Sequence, residues 1–193
     1  MKKTVLYIFS GIIFLSCLAV SSWYFLDWTQ IGTAAMNYAY SQASSRGMRL
    51  SYTDMAGVEG GFAVNNLSMS GMVNIRFGTI IIRPKILTSI ISLSGVCDIE
   101  FRDAQLQLGR TMKLGNGSCM LTLSPPEIIM ENIRTAGELS VEGSVSFNPQ
   151  AMRITRASAR VVVPEELSPA LEAMRNFLPL VHEGGNWYLR RND

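Results

Sequence analysis

The chain has 193 residues, 48% of them hydrophobic, and its 17 Lys and Arg against 15 Asp and Glu leave a net charge of +2. The basic residues are scattered, which speaks against a nucleic-acid partner and against a polybasic membrane patch. No P-loop, no G-x-G-x-x-G after a strand, no H-E-x-x-H and no G-x-S-x-G occurs, so the sequence argues against an enzyme and implies no cofactor.

Residues 4–25, TVLYIFSGIIFLSCLAVSSWYF, carry no charge; Lys2 and Lys3 precede them and Asp27 follows. Crossing a hydrocarbon core takes ~20 apolar residues in helical form, and this run is long enough. Trp23, Tyr24 and Trp28 gather at its far end, where amphipathic rings suit the headgroup level. The basic pair on the near side predicts a cytoplasmic N-terminus with the rest of the chain outside. Two other readings stay open. A cleaved signal peptide has a shorter apolar region, typically ~7–15 residues, followed by small residues. A lipoprotein signal needs small residues before a Cys, which Phe14-Leu15-Ser16-Cys17 matches only loosely. The expected organisation is a cytoplasmic tip and transmembrane anchor over 1–28, a helical stalk over 29–47 and one β-rich domain over 48–193.

The stalk rests on Ile31, Ala35, Tyr38, Ala39 and Ala43 at helical spacing, with Gly47 behind them as a stop. From Met48 the period changes to two. Leu67 and Met69 alternate with serines, and after Gly71 so do Val73, Ile75 and Phe77 with Asn74, Arg76 and Gly78. The alternation returns in Ile99 and Phe101, then Ala104, Leu106 and Leu108; in Leu139, Val141, Val145 and Phe147; and in Ala157, Ala159, Val161 and Val163. Such alternation predicts antiparallel sheet with one apolar and one polar face. Asp98, Glu100 and Arg102 belong to the wet face, while Gly109, Gly115-Asn116-Gly117 and Asn148-Pro149 supply turns.

Between strands a unit recurs: strand, proline, short amphipathic helix, glycine, strand. Pro84 precedes Ile86, Leu87, Ile90 and Ile91; Pro125-Pro126 precedes Ile128, Ile129 and Ile133; Pro164 precedes Leu171, Met174, Phe177 and Leu178. The opening prolines recur at roughly 40 residues, the range of stacked repeats, though three unrelated crossover helices would read alike. So many large apolar side chains on one sheet face need a cover. The face comprises Val73, Ile75, Phe77, Ile99, Phe101, Val141, Val145 and Phe147, and the covers available are the helices just named.

Two further features carry chemistry in principle. Cys97 and Cys119 each open a strand-like run in the external part, where an oxidising compartment would permit a disulfide; two separate buried thiols are the alternative. His182 is the single histidine and has no second His or nearby Cys, which reads as structural and not as a metal ligand.

The basic pair and single anchor, the alternating segment Phe62 to Phe77, and Ile80-Ile81-Ile82-Arg83-Pro84 followed by Ile86-Leu87-Thr88-Ser89-Ile90-Ile91 and Gly95 together resemble protein N of the type II secretion system, the GspN family, which shares a theme with AsmA-like periplasmic proteins. Gly184-Gly185-Asn186-Trp187-Tyr188-Leu189-Arg190 resembles that family's closing strand. The resemblance implies a single-pass protein of the bacterial inner membrane, its β-rich part periplasmic, with no catalytic residues and with other secretion-apparatus membrane proteins as partners. The fold expected is mainly β with short helices: an anchor and stalk, then a curved antiparallel sheet with amphipathic helices on or beside its apolar face. The leading function is an assembly component acting through protein contacts at strand edges or the polar face. The alternative is an AsmA-like module that holds lipid or another apolar ligand on the greasy face, which requires the helices to sit at the rim.

Overall fold

A computed structural model describes residues 13, 14, 17, 21, 25–45, 47–71, 74–108, 110–151, 153–175 and 178–191. Alternating residues build eleven strands: β1 (Arg49–Ser51), β2 (Asp54–Val58), β3 (Gly61–Ser70), β4 (Asn74–Pro84), β5 (Gly95–Leu108), β6 (Arg110–Ser124), β7 (Glu127–Ala136), β8 (Ser140–Asn148), β9 (Arg153–Val162), β10 (Leu180–Glu183) and β11 (Asn186–Arg191). They form one sheet in the order β1-β3-β4-β5-β6-β7-β8-β9-β11-β10, with β2 also on β3. Every pairing is antiparallel, as the alternation predicts.

Helix α1 spans Trp28–Ser45. Asp27 caps it, its Oδ1 accepting from the backbone N–H of Thr29 at 3.0 Å and of Gln30 at 3.1 Å. Gly47, at φ +71°, ends it, and the Met48 N–H reaches back to the Ala43 carbonyl at 3.0 Å. The helix lies on the sheet: Trp28 and Met36 bury against Phe62 and Val64, flanked by Leu50, Met55, Leu67 and Ile82. A side chain at Gly32 would come within 2.6 Å of Met55 Sδ and 2.8 Å of Phe62, so only glycine permits this approach. The segment set apart as a stalk thus shares a core with the strands that follow it.

Of the three helices expected between strands, two form. Helix α2 covers Ile86–Ser92, and α3 covers Ser168–Met174 after a 3-10 turn at Glu165–Leu167. The middle one does not: Glu127–Ala136 is strand β7, and Ser124 pairs directly with Glu127. Pro125 and Pro126 therefore reverse the chain alone, leaving no room for a helix, and the β-branched isoleucines suit the strand. The three-copy repeat reduces to two unlike connections. Gly115-Asn116-Gly117, expected as a turn, lies inside β6 as a bulge, because the pairing register slips between Gly115 and Asn116.

That slip belongs to a row of irregularities with one effect. Asn66 and Asp103 take left-handed backbone, at φ +50° and +53°, and the registers set Asn66, Gly78 and Asp103 abreast on β3, β4 and β5. A single such residue shifts the alternation by one. Val64 and Leu67, three apart in sequence, consequently pack in the same cluster, and the rings of Phe77 and Phe101, on either side of the row, meet each other. Asn132, at φ +53°, does the same between Met130 and Ile133.

Candidate binding surface

Reading register pairs across the sheet assembles one apolar face. Phe62 stands opposite Ile82, Ile82 opposite Ile99, and Cys97 opposite Leu121; Leu123 stands opposite Ile128, Ile128 opposite Phe147, Val141 opposite Val161, and Val161 opposite Trp187. Ile75, Phe77, Ile99, Phe101, Val141, Val145 and Phe147 all lie on it; Val73 falls outside the described residues. Phe77 and Phe101 meet edge to face, centroids 5.6 Å apart. The Phe101 ring occupies the space over Gly117, where an added Cβ would come within 2.4 Å of it.

This face is covered at its ends and open between them. At one end lies the α1 cluster. At the other, Leu139, Val161, Leu180 and Trp187 bury together, with Leu106, Leu114, Val141, Leu171, Leu178 and Leu189 packed around them. Ile99, Phe101, Leu121, Ile128, Met130 and Phe147 lie between the clusters, half-buried, and Leu123 is exposed. The expected cover from Ile86, Leu87, Ile90 and Ile91 is absent: no residue of α2 is buried, and Leu87 is 79%, Ile90 65%, Ile91 83% and Leu93 92% exposed. The reason is tethering. The loop leaves β4 and re-enters the adjacent β5, Lys85 N–H bonds the Val96 carbonyl at 2.8 Å, and Val96 N–H bonds Ser89 Oγ at 2.8 Å. Held at both feet beyond the strand ends, α2 cannot fold back over the face. Ile129 and Ile133 are strand residues, Phe177 and the side chain of Met174 lie outside what is described, and Leu171 packs as a helical cover.

On the open face a hollow of about 370 Å³ is lined by Met130, Val145, Phe147 and Ile154, with Leu178, Pro179, Arg153 and Arg191 around it. Val145 and Phe147 were legible as residues of the apolar face, though not as the wall of a hollow. The two arginines were not, because the register slip beside Phe147 breaks the β9 alternation just where Arg153 and Ile154 begin it.

The opposite face is polar, as the spacing of Asp98, Glu100 and Arg102 predicts. Arg83 pairs with Glu100 at 2.6 Å and Lys85 with Asp98 at 2.8 Å, all four half-exposed, so each pair contributes about 0–1 kcal/mol. Cys97 and Cys119 share the apolar face but are free thiols: Cys119 stands opposite Ile99, a diagonal step from Cys97. Burial, with Cys119 and then Asp98 adding to it, pushes the Cys97 thiol up to about 11; burial and then Asp98 raise that of Cys119. His182 stacks on Trp187 with centroids 4.6 Å apart. Among the described residues no three His, Cys, Asp or Glu side chains converge as a metal site would require.

Trp28, expected at a membrane interface, is buried under α1 and serves the fold. Trp23 and Tyr24 lie outside the described residues, as does most of the 4–25 run. Among the described residues no helix is long and apolar enough to cross a membrane.

No curated protein and no solved structure matches the chain. One family model does, that of the type II secretion system protein GspN-like proteins of Synergistales, over residues 3–191. The match spans the 4–25 run, α1 and the whole sheet, and the chain belongs to this GspN-like family.

Proposed function

We propose that the chain is a non-enzymatic component of type II protein secretion, anchored in the inner membrane by residues 4–25, with its sheet in the periplasm and its contacts made to other membrane proteins of the apparatus. The observation that carries the contact reading is the open centre of the apolar face. Phe101, Leu121, Leu123, Ile128 and Phe147 form an area that a solitary soluble domain would cover, and a partner is the remaining cover. The sheet edges suit docking less well, since β10 has four residues, and short edges offer few backbone bonds.

A second reading is favoured by the hollow. Apolar walls with Arg153 and Arg191 beside them suit an acyl chain ending in an anionic group, so a lipid is the alternative occupant. The test is purification of the intact protein from its own membranes after crosslinking from Phe101 and from Ile154. Adducts to secretion-apparatus proteins support the first reading. Adducts to lipid alone support the second.

A further inference from the structure

The sheet has two ends, and the exposed aliphatic residues Leu87, Ile90, Ile91, Leu93 and Leu123 lie at one, against Val162 at the other. Gly57 on β2 donates its N–H to Thr29 Oγ1 in the first turn of α1 at 3.0 Å. Gly57 pairs with Phe62 on β3, and Phe62 with Ile82 on β4, two residues before the strand ends at Pro84. With neighbouring strands about 4.8 Å apart, Gly57 and Ile82 lie roughly 10 Å apart across the sheet, which sets the start of α1 and the foot of α2 at the same end of it. Phe25, at 88% exposure, stands three residues before the start of α1 there. Leu123, at 45%, pairs with Gly95 just behind α2.

Helix α2 is built for a surface without water. Residues 86–94 carry no charge, and the cations at their foot, Arg83 and Lys85, are paired with Glu100 and Asp98. Its serine hydroxyls are satisfied internally, leaving only that of Thr88 exposed: Ser89 Oγ donates to the Lys85 carbonyl and Ser92 Oγ to the Thr88 carbonyl, both at 2.8 Å, while Ser92 and Ser94 share a hydrogen bond of 2.7 Å. A short helix without charge, apolar on so many sides and with its serines bonded to its own backbone, suits the interfacial layer of a bilayer, where the Thr88 hydroxyl still meets polar groups.

The geometry points to α2 as a second membrane contact, dipping into the periplasmic leaflet of the bilayer that residues 4–25 cross; the inference rests on that anchor reading. Leu87, Ile90, Ile91 and Leu93 enter the interfacial region, and the sheet is held at a fixed tilt by two feet, the anchor and α2. The occupant is lipid because the displaying end is the one from which the apolar N-terminal run departs.

The test uses the full chain in nanodiscs of phosphatidylethanolamine and phosphatidylglycerol, with a photoactivatable diazirine residue placed singly at Leu87, Ile91, Val20 or Glu131. Val20 lies within the anchor run, and Glu131 is an exposed position away from that end. Lipid adducts at Leu87 and Ile91 about tenfold above those at Glu131 are expected. Adducts at Val20 with only background at Leu87 and Ile91 overturn the inference and leave the anchor standing. Adducts from Leu87 to a second copy of the chain in place of lipid overturn it in favour of self-association. Absence of lipid adducts at Val20 overturns the anchor reading and the inference together.

Discussion

Helices α1 and α2 invert the usual relation between greasiness and burial. Helix α1 presents glycine, alanines, threonines and tyrosines, yet sinks Trp28 and Met36 into the sheet. Helix α2 is almost wholly isoleucine, leucine, serine and threonine, yet buries nothing. The difference lies in connection. Helix α1 turns back at Gly47 and runs along the strands it precedes, with Gly32 allowing Phe62 to approach closely. Helix α2 joins two adjacent strands and is fixed beyond their ends. Where a helix can reach decides what it buries, and hydrophobicity alone decides only what it would cost to leave it bare.

The largest test of this contrast lies under α1. Phe62→Ala should destabilise the fold by about 3–5 kcal/mol, read by urea denaturation, because Phe62 is buried at the centre of the α1 cluster. A loss below 1 kcal/mol, on the scale of a surface change, would mean that α1 is no cover. Next comes Gly117→Ala, where the added methyl group would meet both the Arg134 carbonyl oxygen and the Phe101 ring at 2.4 Å, so that the backbone and the ring must both shift: a cost of about 1–3 kcal/mol is expected, together with a change in the upfield aromatic shifts that report the Phe77–Phe101 contact.

Phe101→Glu sharpens the comparison from the open side. In a closed core it would bury an unpaired charge; on a half-buried face its carboxylate reaches water. We expect a folded, protease-resistant variant weakened by about 1–2 kcal/mol, roughly half the transfer energy of a phenylalanine. Global unfolding of this variant would show the centre to be sealed.

Thiol titration gives a shallower effect. Cys97 keeps its proton in the folded chain to about 11 against an ordinary 9.0, so between these values the folded state binds more protons than the unfolded. Stability should be whole below pH 9 and fall as pH rises through 9 to 11, and Cys97→Ala should flatten that decline. Alkylation of unreduced protein should add to both Cys97 and Cys119 once it is unfolded; a missing pair of additions would report a bond across the diagonal. The smallest effect belongs to α2: Leu87→Ser with Ile91→Ser should change folding stability by less than about 0.5 kcal/mol, since both side chains are already in solvent.

The sequence is most informative where its period is undisturbed. The strands containing Leu67, Phe77, Phe101, Val145 and Val161 announce themselves by alternation, and Gly47 marks the end of α1. Even the row of bulges leaves a trace, because the step from Phe101 to Ala104 is three residues where alternation asks for two. The trace becomes readable only when Asn66, Gly78 and Asp103 are seen side by side, which needs the pairing register. The strand at Glu127–Ala136 was hidden because proline followed by isoleucines opens a helix or closes a hairpin equally well. What decides between them is the length of chain available to turn, and that is a property of the neighbouring strand. The basic rim of the hollow was hidden for a related reason: Arg153 and Arg191 are far apart in sequence and meet only through β9 and β11.

The strand order also bears on how such a chain comes to be folded. From β3 to β9 each strand pairs with the one made just before it, and only the last two exchange places. Contacts this local close short loops, so hairpins can form one after another without waiting for a distant segment. A chain delivered from its N-terminus could therefore assemble its sheet while still emerging, each new strand adding to an edge already laid down. The exception is β11, which must slot between β9 and β10, so β10 gains its place in the sheet only once β11 has formed.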